Sequence, residues 1–441
     1  MKKNNKTKKI SIIGGGPAGL ASAYFANNKG LKFELFEGNS EVGGNCKTIE
    51  YKNFKFDLGA HRFHDKNEYV TSLIKNLLND DLRLVTTPSK IFYKGKMITF
   101  PIEFRNLLKK LDSKIILKIL FENGKNIFNQ NNINSFNDLV IKKYGSTISE
   151  LFINNYSKKL WGKDTTLLSP KISGGRLKNL NIMSIIKIFS GKKHFEGFFY
   201  YPKNGFGMIF DKIKEEIQTN NIFLNSKITK IFHHNNKINA LELNNTKKIE
   251  VDQLINSLPI NFTANILEPK IPSKILDIVK TLRFRNLRIV VIFLEMKNFS
   301  NYASIYFPDK NVNFTRIYEP KQRSNSLAPN DKTCIVVEVP CNESDELYNS
   351  HSDIFKNEII NSLLKMNLIQ KNKIIECLTY KIPNAYPILT NENIQSMNII
   401  NDYIKKFENM KMIGRGAEFK YLHTHDIFAK AVNYINFLSQ E

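Results

Sequence analysis

The sequence predicts an α/β protein whose parallel sheet is assembled from separated parts of the chain. A short apolar run, Lys9–Ile13, leads into clustered glycines and a helical pattern, as in a βα unit. Strand-like segments recur between residues 200 and 262, the last of them predicted as one strand over Lys248–Ser257, and Asn409–Ile413 suits one more buried strand. Long helical patterns and long apolar runs separate these parts. The sheet is therefore expected to be discontinuous, with other substructures inserted between its strands.

The turn after the first strand carries the pattern of a dinucleotide site. Gly14, Gly16 and Gly19 lie on G-x-G-x-x-G, and a helix is predicted to begin at Pro17 and Ala18. The first glycine permits the turn, the second lets a pyrophosphate approach the backbone, and the third lets helix and strand pack closely. Unpaired N–H groups at the helix start attract phosphate. The unit therefore predicts a Rossmann-like domain, with a βαβ turn that binds no phosphate as the alternative.

An acidic residue and a glycine pair follow this helix. The strand Lys32–Phe36 ends at Glu37, roughly twenty residues after the glycines, where a carboxylate can accept hydrogen bonds from a ribose. Gly43, Gly44 and Asn45 come next. This arrangement resembles the glutathione-reductase type of FAD-binding fold, and the resemblance favours FAD over NAD.

The composition is ordinary for a globular protein except that it is strongly basic. Of 441 residues, 42% are hydrophobic and 24% are charged, and the formal net charge is +24. Lysine supplies most of this charge, and compositional drift alone can produce it. A basic surface otherwise attracts anionic small molecules or anionic membranes. Because no nucleic-acid-binding motif accompanies the charge, drift together with an anionic small substrate is the favoured interpretation.

The cysteines indicate neither a metal site nor a disulfide framework. Cys46, Cys334, Cys341 and Cys377 form no C-x-x-C pair and have no histidines at a spacing suited to zinc. They are expected to be free thiols in a reducing compartment. The basic N-terminus lacks the apolar run of a signal peptide, and the longest later run, Ile289–Leu294, is too short to cross a bilayer. A cytoplasmic location is expected.

The order of these patterns predicts three domains. Residues 1–65, 200–262 and 395–441 are assigned to an FAD-binding domain. Residues 66–199 are assigned to a mainly helical substrate domain, and residues 263–394 to an antiparallel β substrate domain.

One segment of the helical domain is amphipathic and rich in lysine. Pro101 is expected to open this helix, which is predicted over Ile102–Leu120. A core-packed helix with a solvated lysine face is the favoured interpretation, and peripheral contact with anionic lipid is the alternative.

Motifs spread over nearly the whole chain resemble those of the UDP-galactopyranose mutases, within the wider superfamily of protoporphyrinogen oxidases and amine oxidases. The matching segments are Gly59–His64, Asn155–Gly162, Arg176, Tyr201–Phe206, Phe314–Glu319, Ala385–Ile388 and Gly414–Tyr421. The resemblance implies that Arg176 and Arg316 bind a substrate diphosphate. It also implies that Tyr156, Trp161 and Tyr386 line the cleft for a nucleotide sugar.

The same resemblance implies cofactor contacts and a reaction. Gly59 and His61 are expected near the flavin ring, while Gly414, Arg415 and Tyr421 complete the FAD site. The catalytic candidates are thus His61 and the two diphosphate arginines. By family analogy, N5 of reduced FAD attacks the anomeric carbon of a nucleotide diphosphate sugar and displaces the nucleotide diphosphate, and the resulting flavin–sugar adduct opens and recloses with the other ring size. NAD(P)H is an expected external reductant, and the product class fits cell-surface polysaccharide biosynthesis.

Some segments depart from the mutase pattern. Pro17-Ala18 is closer to the oxidase branch, and Glu319-Pro320-Lys321 replaces a glutamate–histidine–lysine segment. Three functions therefore stay open: a mutase, an FAD oxidase or desaturase acting on a porphyrinogen, amine or polyene, and a non-catalytic FAD-bound scaffold. No metal site is predicted, and an oligomer is compatible with the sequence.

Overall fold

The structure is a computed structural model that describes residues 8–102, 104–126, 132–173, 198–217 and 219–440. Its strands are β1 Ile10–Ile13, β2 Phe33–Phe36, β3 Thr48–Tyr51, β4 Phe54–Asp57, β5 Leu82–Val85, β6 Ser89–Tyr93, β7 Lys96–Phe100, β8 Phe199–Pro202, β9 Ile222–Phe223, β10 Ile228–His234, β11 Lys237–Leu243, β12 Lys247–Glu250, β13 Gln253–Asn256, β14 Leu267–Glu268, β15 Phe284–Leu294, β16 Ser304–Tyr306, β17 Arg316–Tyr318, β18 Thr333–Cys341, β19 Ile374–Pro387 and β20 Met410–Met412. Its helices are α1 Pro17–Asn28, α2 Glu68–Leu78, α3 Phe104–Lys110, α4 Ser113–Asn126, α5 Phe136–Ile148, α6 Asn155–Trp161, α7 Met208–Glu216, α8 Ile260–Ile266, α9 Ser273–Thr281, α10 Glu346–Asn349, α11 Ser352–Lys365, α12 Asn391–Ile404 and α13 Thr424–Leu438.

A parallel sheet with the order β20-β13-β1-β2-β9 carries the glycine turn. β1 is buried at every residue, and the small residues of α1 let that helix pack against the sheet together with α7 and α13. The predicted α/β class and the predicted return of the chain to this sheet are confirmed, since β13 and β20 both pair in it.

A second sheet has the order β19-β15-β18-β17-β16-β6-β7 and is antiparallel except between β16 and β6. Its central strands β15 and β18 are buried along their whole length, as their apolar runs predict. The edge hairpin β6–β7 comes from residues 66–199, the segment assigned to the helical domain. The domain boundaries themselves stay a prediction.

The segment predicted as one strand over Lys248–Ser257 is divided between two sheets. β12 pairs with β11 in a sheet of order β12-β11-β10-β14, whereas β13 enters the parallel sheet. Asp252 lies at the break, where its carboxylate accepts a hydrogen bond from the Lys9 amide at 3.0 Å. The prediction of a single strand was therefore wrong.

The helical part is also more divided than its periodicity predicts. The helix predicted over Ile102–Leu120 is two helices, α3 and α4, with the break at Leu111 and Asp112. Gly162 ends α6 in the left-handed conformation with φ +65°, as a glycine after the last helical residue does. Within the part of the chain that is described, no helix is both long and apolar enough to cross a membrane.

Candidate functional site

The glycines after β1 form a cradle in which two positions admit only glycine. Gly14 has φ +92°, and a Cβ atom there would lie 2.4 Å from the Ser257 hydroxyl. A Cβ atom at Gly19 would lie 1.8 Å from the Gly14 carbonyl oxygen, so α1 could not approach β1 with any larger residue. A Cβ atom at Gly16 would meet nothing within 4 Å. Gly16 therefore faces the open space that a pyrophosphate needs.

The start of α1 is built to face an anion. Gly16 precedes the helix without a side chain that could cap it, Pro17 is its first residue, and its first turn contains no acidic residue. The backbone N–H groups of this turn and the positive end of the helix dipole therefore point at the open space beside Gly16. Ala18 is buried against the turn at Gly414, whose Cβ position would lie 3.3 Å from the Ala18 Cβ.

Glu37 lies at the end of β2 beside the same cradle. Its carboxylate accepts hydrogen bonds from the Gly15 amide at 2.6 Å and from the Asn39 amide at 2.8 Å. Gly43 and Gly44 both have positive φ, and the Gly43 amide donates to the Gly15 carbonyl at 2.8 Å. Oε1 also accepts a hydrogen bond from Asn39 Nδ2 at 2.6 Å, whereas Oε2 receives the Gly15 amide and has a lone pair left, so Glu37 keeps the capacity to bind a ribose through Oε2.

Residues from the C-terminal part of the chain also lie beside the glycine cradle. The Arg415 guanidinium donates from Nε and Nη2 to the Leu422 carbonyl at 3.0 and 2.7 Å. It also lies over the rings of Tyr421 and Tyr386, at 5.1 and 5.6 Å. The exposed Asn45 lies in the short turn Gly44–Cys46. The residues predicted to bind FAD from the two ends of the chain thus flank one cradle, and the open approach at Gly16 fits that cofactor.

His61 lies on the loop between β4 and α2. Its ring stacks on Phe206 at 5.1 Å, and its carbonyl accepts a hydrogen bond from Arg323 Nη1 at 2.8 Å. Burial, together with the positive charges of Arg415, Arg323 and Arg316, lowers the pKa of His61 to about 3. The imidazole is therefore neutral at physiological pH, and it can act there as a hydrogen-bonding group but not as a cation.

Asp57, at the end of β4, lies next to the loop that carries His61. It was not predicted as a site residue. Its fully buried carboxylate accepts hydrogen bonds from Thr48 Oγ1 at 2.7 Å, Tyr201 OH at 2.6 Å and the Phe206 amide at 3.0 Å. Burial raises the pKa of Asp57, although these hydrogen bonds act in the opposite direction. His61 Nδ1 lies 3.9 Å from the carboxylate. The only sequence signal for Asp57 is its place just before the Leu58-Gly59 turn.

Arg316 is held by a buried carboxylate that was also not predicted. Arg316 on β17 lies opposite Glu338 on β18, and its Nε and Nη2 atoms donate to Glu338 Oε2 at 2.9 and 2.6 Å. Although burial acts against the charge, Glu338 raises the pKa of Arg316 well above its usual value. Glu338 Oε1 also accepts from the Ala60 amide at 2.7 Å, on the loop that carries Gly59 and His61.

This arrangement links Arg316, one of the two residues predicted to bind the substrate diphosphate, to the loop between β4 and α2. A bidentate pair sets the plane of the guanidinium, and Arg316 Nη1 is not part of it. The sequence signal for Glu338 is a single carboxylate inside the apolar run of β18. Arg176, the other predicted diphosphate residue, lies outside the described residues.

Two of the predicted aromatic residues, Trp161 and Tyr386, pack together beside Arg415. Trp161 contacts Tyr386 and Tyr421 at ring-centroid distances of 5.6 and 5.3 Å. Burial, followed by the nearby Glu338 carboxylate, raises the pKa of Tyr386 to about 12, so its hydroxyl stays protonated. Tyr156 lies on the same helix as Trp161 and contacts Tyr306 at 5.7 Å. The structure therefore brings Trp161 and Tyr386 together and places Tyr156 beside Tyr306, and their lining of a substrate cleft stays a prediction.

Lys159 holds the helix that presents Tyr156 and Trp161. Its ammonium group donates to the carbonyl oxygens of Phe307, Asp309, Val312 and Phe314 at 2.6, 2.7, 2.9 and 3.0 Å. Burial lowers the pKa of Lys159 to about 7, which Asp309 partly counteracts. Nothing in the sequence indicates this contact. These hydrogen bonds connect α6 to the loop that precedes β17.

Comparison with known proteins decides the family. The model of the family described as flavin containing amine oxidoreductase matches residues 17–373. The chain belongs to this family. Membership in the flavin containing amine oxidoreductases makes it a flavin-dependent enzyme, with FAD as the cofactor that the cradle fits. Among the described residues, no group of histidine, cysteine, aspartate and glutamate side chains could hold a metal ion.

Two curated relatives are different kinds of enzyme, a mutase and a desaturase. The chain is 23% identical over 213 residues to dTDP-fucopyranose mutase of Escherichia coli, which covers 46% of this chain and 53% of that protein. It is 20% identical over 485 residues to 4,4'-diapophytoene desaturase (4,4'-diapolycopene-forming) of Methylomonas sp, which covers 97% of this chain and 90% of that protein. The match to the mutase thus spans about half of its length.

A solved structure shares the whole fold. The crystal structure of reduced UDP-galactopyranose mutase superposes with a TM-score of 0.84 at 20% sequence identity, and it covers 98% of this chain and 95% of that one. The predicted resemblance to the mutases within the oxidase superfamily is confirmed. At this identity the likeness shows the fold, and the choice between isomerase and oxidoreductase chemistry rests on the site.

Proposed function

We propose that the protein is an FAD-dependent mutase that interconverts the pyranose and furanose forms of a nucleotide diphosphate sugar. The observation that carries the proposal is the Glu338 carboxylate, which binds both Arg316 and the Ala60 amide. Ala60 lies on the loop between β4 and α2, which is expected beside the flavin. It holds a guanidinium beside the place where the flavin ring is expected. A diphosphate fits such a position, because a planar guanidinium matches its oxygens.

The remaining residues position the substrate. Tyr156 and Tyr386 offer partly exposed stacking surfaces for a base and a sugar, the buried Trp161 packs behind Tyr386, and the protonated Tyr386 hydroxyl can donate to a phosphate. When bound, reduced FAD supplies a nucleophilic nitrogen to the anomeric carbon. The protein contributes orientation through Arg316, whose charge the Glu338 carboxylate balances, and positive charge through the nearby Arg415 and Arg323. Arg176 is proposed to bind the same diphosphate, and NAD(P)H to reduce the flavin.

Redox stoichiometry provides the first test. A mutase should convert UDP- and dTDP-linked sugars anaerobically, with reductant needed only in catalytic amount and no net acceptor consumed. Product that accumulates only in proportion to a consumed acceptor would contradict the proposal.

A variant pair tests the role of Arg316. Arg316→Ala should lower kcat/KM by ~100-fold, since misplacing a reacting group by about 1 Å has effects of that order. Arg83→Ala is the matched control, because the Arg83 side chain is exposed on β5, where only its backbone is needed for pairing with β8. Equal kcat/KM and equal binding of nucleoside diphosphates in both variants would rule out the proposed role.

Oxidase or desaturase chemistry is the second candidate function. The desaturase relative matches 97% of the chain, and Pro17-Ala18 in the glycine turn is closer to the oxidase branch. A cleft with a buried arginine is poorly suited to an amine or an apolar polyene, since desolvating a charge opposes binding of either. Oxygen uptake that matches product formation would favour this alternative.

A further inference from the structure

Helix α4 is apolar on two sides. Ile116, Ile119 and Asn123 face inward and are buried, which is the face expected of a helix in a core. On the outward side, Leu117 is 67% exposed, and Leu120, one turn after the buried Ile116, is 49% exposed at the edge between the two sides. An ordinary surface helix is polar on that side, so this outward apolar stripe requires another explanation.

The outward stripe continues along α4 and onto the preceding helix. Phe121 lies four residues after Leu117, on the same helical face, and is 65% exposed. Leu108 on α3, the helix that precedes and contacts α4, is 48% exposed. We name Leu108, Leu117, Leu120 and Phe121 the outer apolar stripe.

Lysines border this stripe. Lys114 and Lys118 lie four residues apart on α4, next to Leu117 on the helical surface, and both are exposed. Lys109 is exposed beside Leu108, and Lys96 donates to the Lys110 carbonyl, which places the basic tip of the β6–β7 hairpin next to α3.

Acidic groups do not cancel this charge. Glu122 lies 3.8 Å from Lys118, but its carboxylate is turned inward and accepts from the Thr147 amide at 2.7 Å and its hydroxyl at 2.9 Å. Asp112 is an exposed acid between the two helices. The stripe and its border thus combine exposed apolar side chains with an excess of lysine.

We propose that the outer apolar stripe and its lysine border dock on the surface of an anionic lipid bilayer. Apolar side chains that enter the interface beside lysines that contact lipid phosphates are the arrangement of membrane-surface helices. The chain's net charge of +24 favours approach to such a surface. The core-packed interpretation of this segment is correct for its inner face, and the lipid contact concerns the outer one.

Vesicle flotation of the FAD-loaded protein tests the proposal. Wild type should float with vesicles of equal parts phosphatidylcholine and phosphatidylglycerol, and it should not float with phosphatidylcholine alone. Because each basic residue near such a surface contributes about fivefold in affinity, Lys114→Gln/Lys118→Gln should bind at least ~10-fold more weakly. Leu117→Gln/Leu120→Gln should also weaken binding, since it removes the apolar anchor.

Matched controls change the same residue types elsewhere. Ile354→Gln alters an apolar side chain that is 63% exposed on α11, and Lys405→Gln alters an exposed lysine whose side chain is 76% exposed. Both should float like wild type. Leu117→Trp supplies a direct readout, because Trp161 is buried and should not respond, whereas an inserted Trp at position 117 should emit at shorter wavelength with anionic vesicles.

Three results would overturn the proposal. The first is no flotation of wild type with anionic vesicles, and the second is equal flotation of wild type and both double variants. The third is a change of oligomeric state in the leucine double variant without a change in lipid binding, because the stripe would then cover a second copy of the chain. Unchanged flavin absorbance and melting temperature identify the variants as folded.

Discussion

Glu338 joins two partners that lie far apart in the sequence, the Arg316 guanidinium and the Ala60 amide. Its side chain is 1% exposed, so either charge alone would be buried without compensation. At the scale of single residues, this pair links the stability of the protein to the geometry of the proposed substrate site.

The Arg316–Glu338 pair should therefore show strong coupling. Glu338→Ala should lower the free energy of unfolding by about 3–5 kcal/mol, because it leaves Arg316 buried and unpaired. The double variant Glu338→Ala/Arg316→Met should recover part of this loss. Urea unfolding of both single variants and the double variant measures the coupling. A double variant as unstable as the sum of the singles would argue against a direct pair.

His61 should make the stability depend on pH. Its pKa is about 3 in the folded protein and about 6.5 when unfolded, so the unfolded chain takes up a proton between these values that the folded protein does not. Stability should be highest above pH 6.5 and fall as the pH drops towards 3. The loss from this group between pH 7 and pH 5 should reach about 2 kcal/mol.

Urea midpoints at pH 7 and pH 5 check this expectation. The drop should be smaller in His61→Gln than in wild type, whereas His234→Gln, at an exposed position on β10, should behave as wild type does. An equal drop in wild type and His61→Gln would show that this imidazole does not titrate as inferred.

At the scale of elements, α6 is positioned by one lysine. Lys159 donates to four carbonyl oxygens of the loop before β17, whereas its neighbour Lys158 has a side chain that is 62% exposed and pairs with Asp164. Lys159→Met should lower the free energy of unfolding by about 3 kcal/mol, because four carbonyl oxygens, three of them partly buried, lose a charged donor. It should also raise KM for a nucleotide sugar, since α6 carries Tyr156 and Trp161.

Lys158→Met is the control for this prediction. An exposed ion pair contributes at most about 1 kcal/mol, so this variant should resemble wild type in unfolding and in KM. Thermal unfolding and steady-state kinetics of the two variants decide the matter. Equal effects of both substitutions would contradict a positioning role for Lys159.

Two substitutions in the glycine turn between β1 and α1 should have different effects, one on cofactor binding and the other on folding. Gly16→Ala places its methyl group in open space, so the fold should persist while the FAD content of the purified protein falls sharply. Gly19→Ala should instead destabilise the fold, because its methyl group would meet the Gly14 carbonyl at 1.8 Å. Flavin absorbance per protein and the melting temperature distinguish the two effects. Full FAD content in Gly16→Ala would contradict the cradle.

At the scale of the whole molecule, features encoded by neighbouring residues were predicted better than contacts between distant parts of the chain. The turn at Gly14–Gly19 and the aromatic residues of α6 were predictable, because glycine spacing and motif resemblance are encoded over short distances. Glu338 was not predicted as a partner of Arg316, because their contact depends on the register of β17 and β18. The division of Lys248–Ser257 between two sheets likewise depends on tertiary pairing that periodicity does not contain.

The position of β20 in the parallel sheet has a consequence for how the protein is made. β20 pairs with β13, which pairs with β1, so neighbouring strands of one sheet are separated by long stretches of the chain. A ribosome that synthesises from the N-terminus must therefore release Met410–Met412 before this sheet can be completed. Contacts of such long sequence separation form slowly, which leaves the incomplete sheet edge exposed to chaperones during translation. Stable cofactor loading is then expected as one of the last events in maturation.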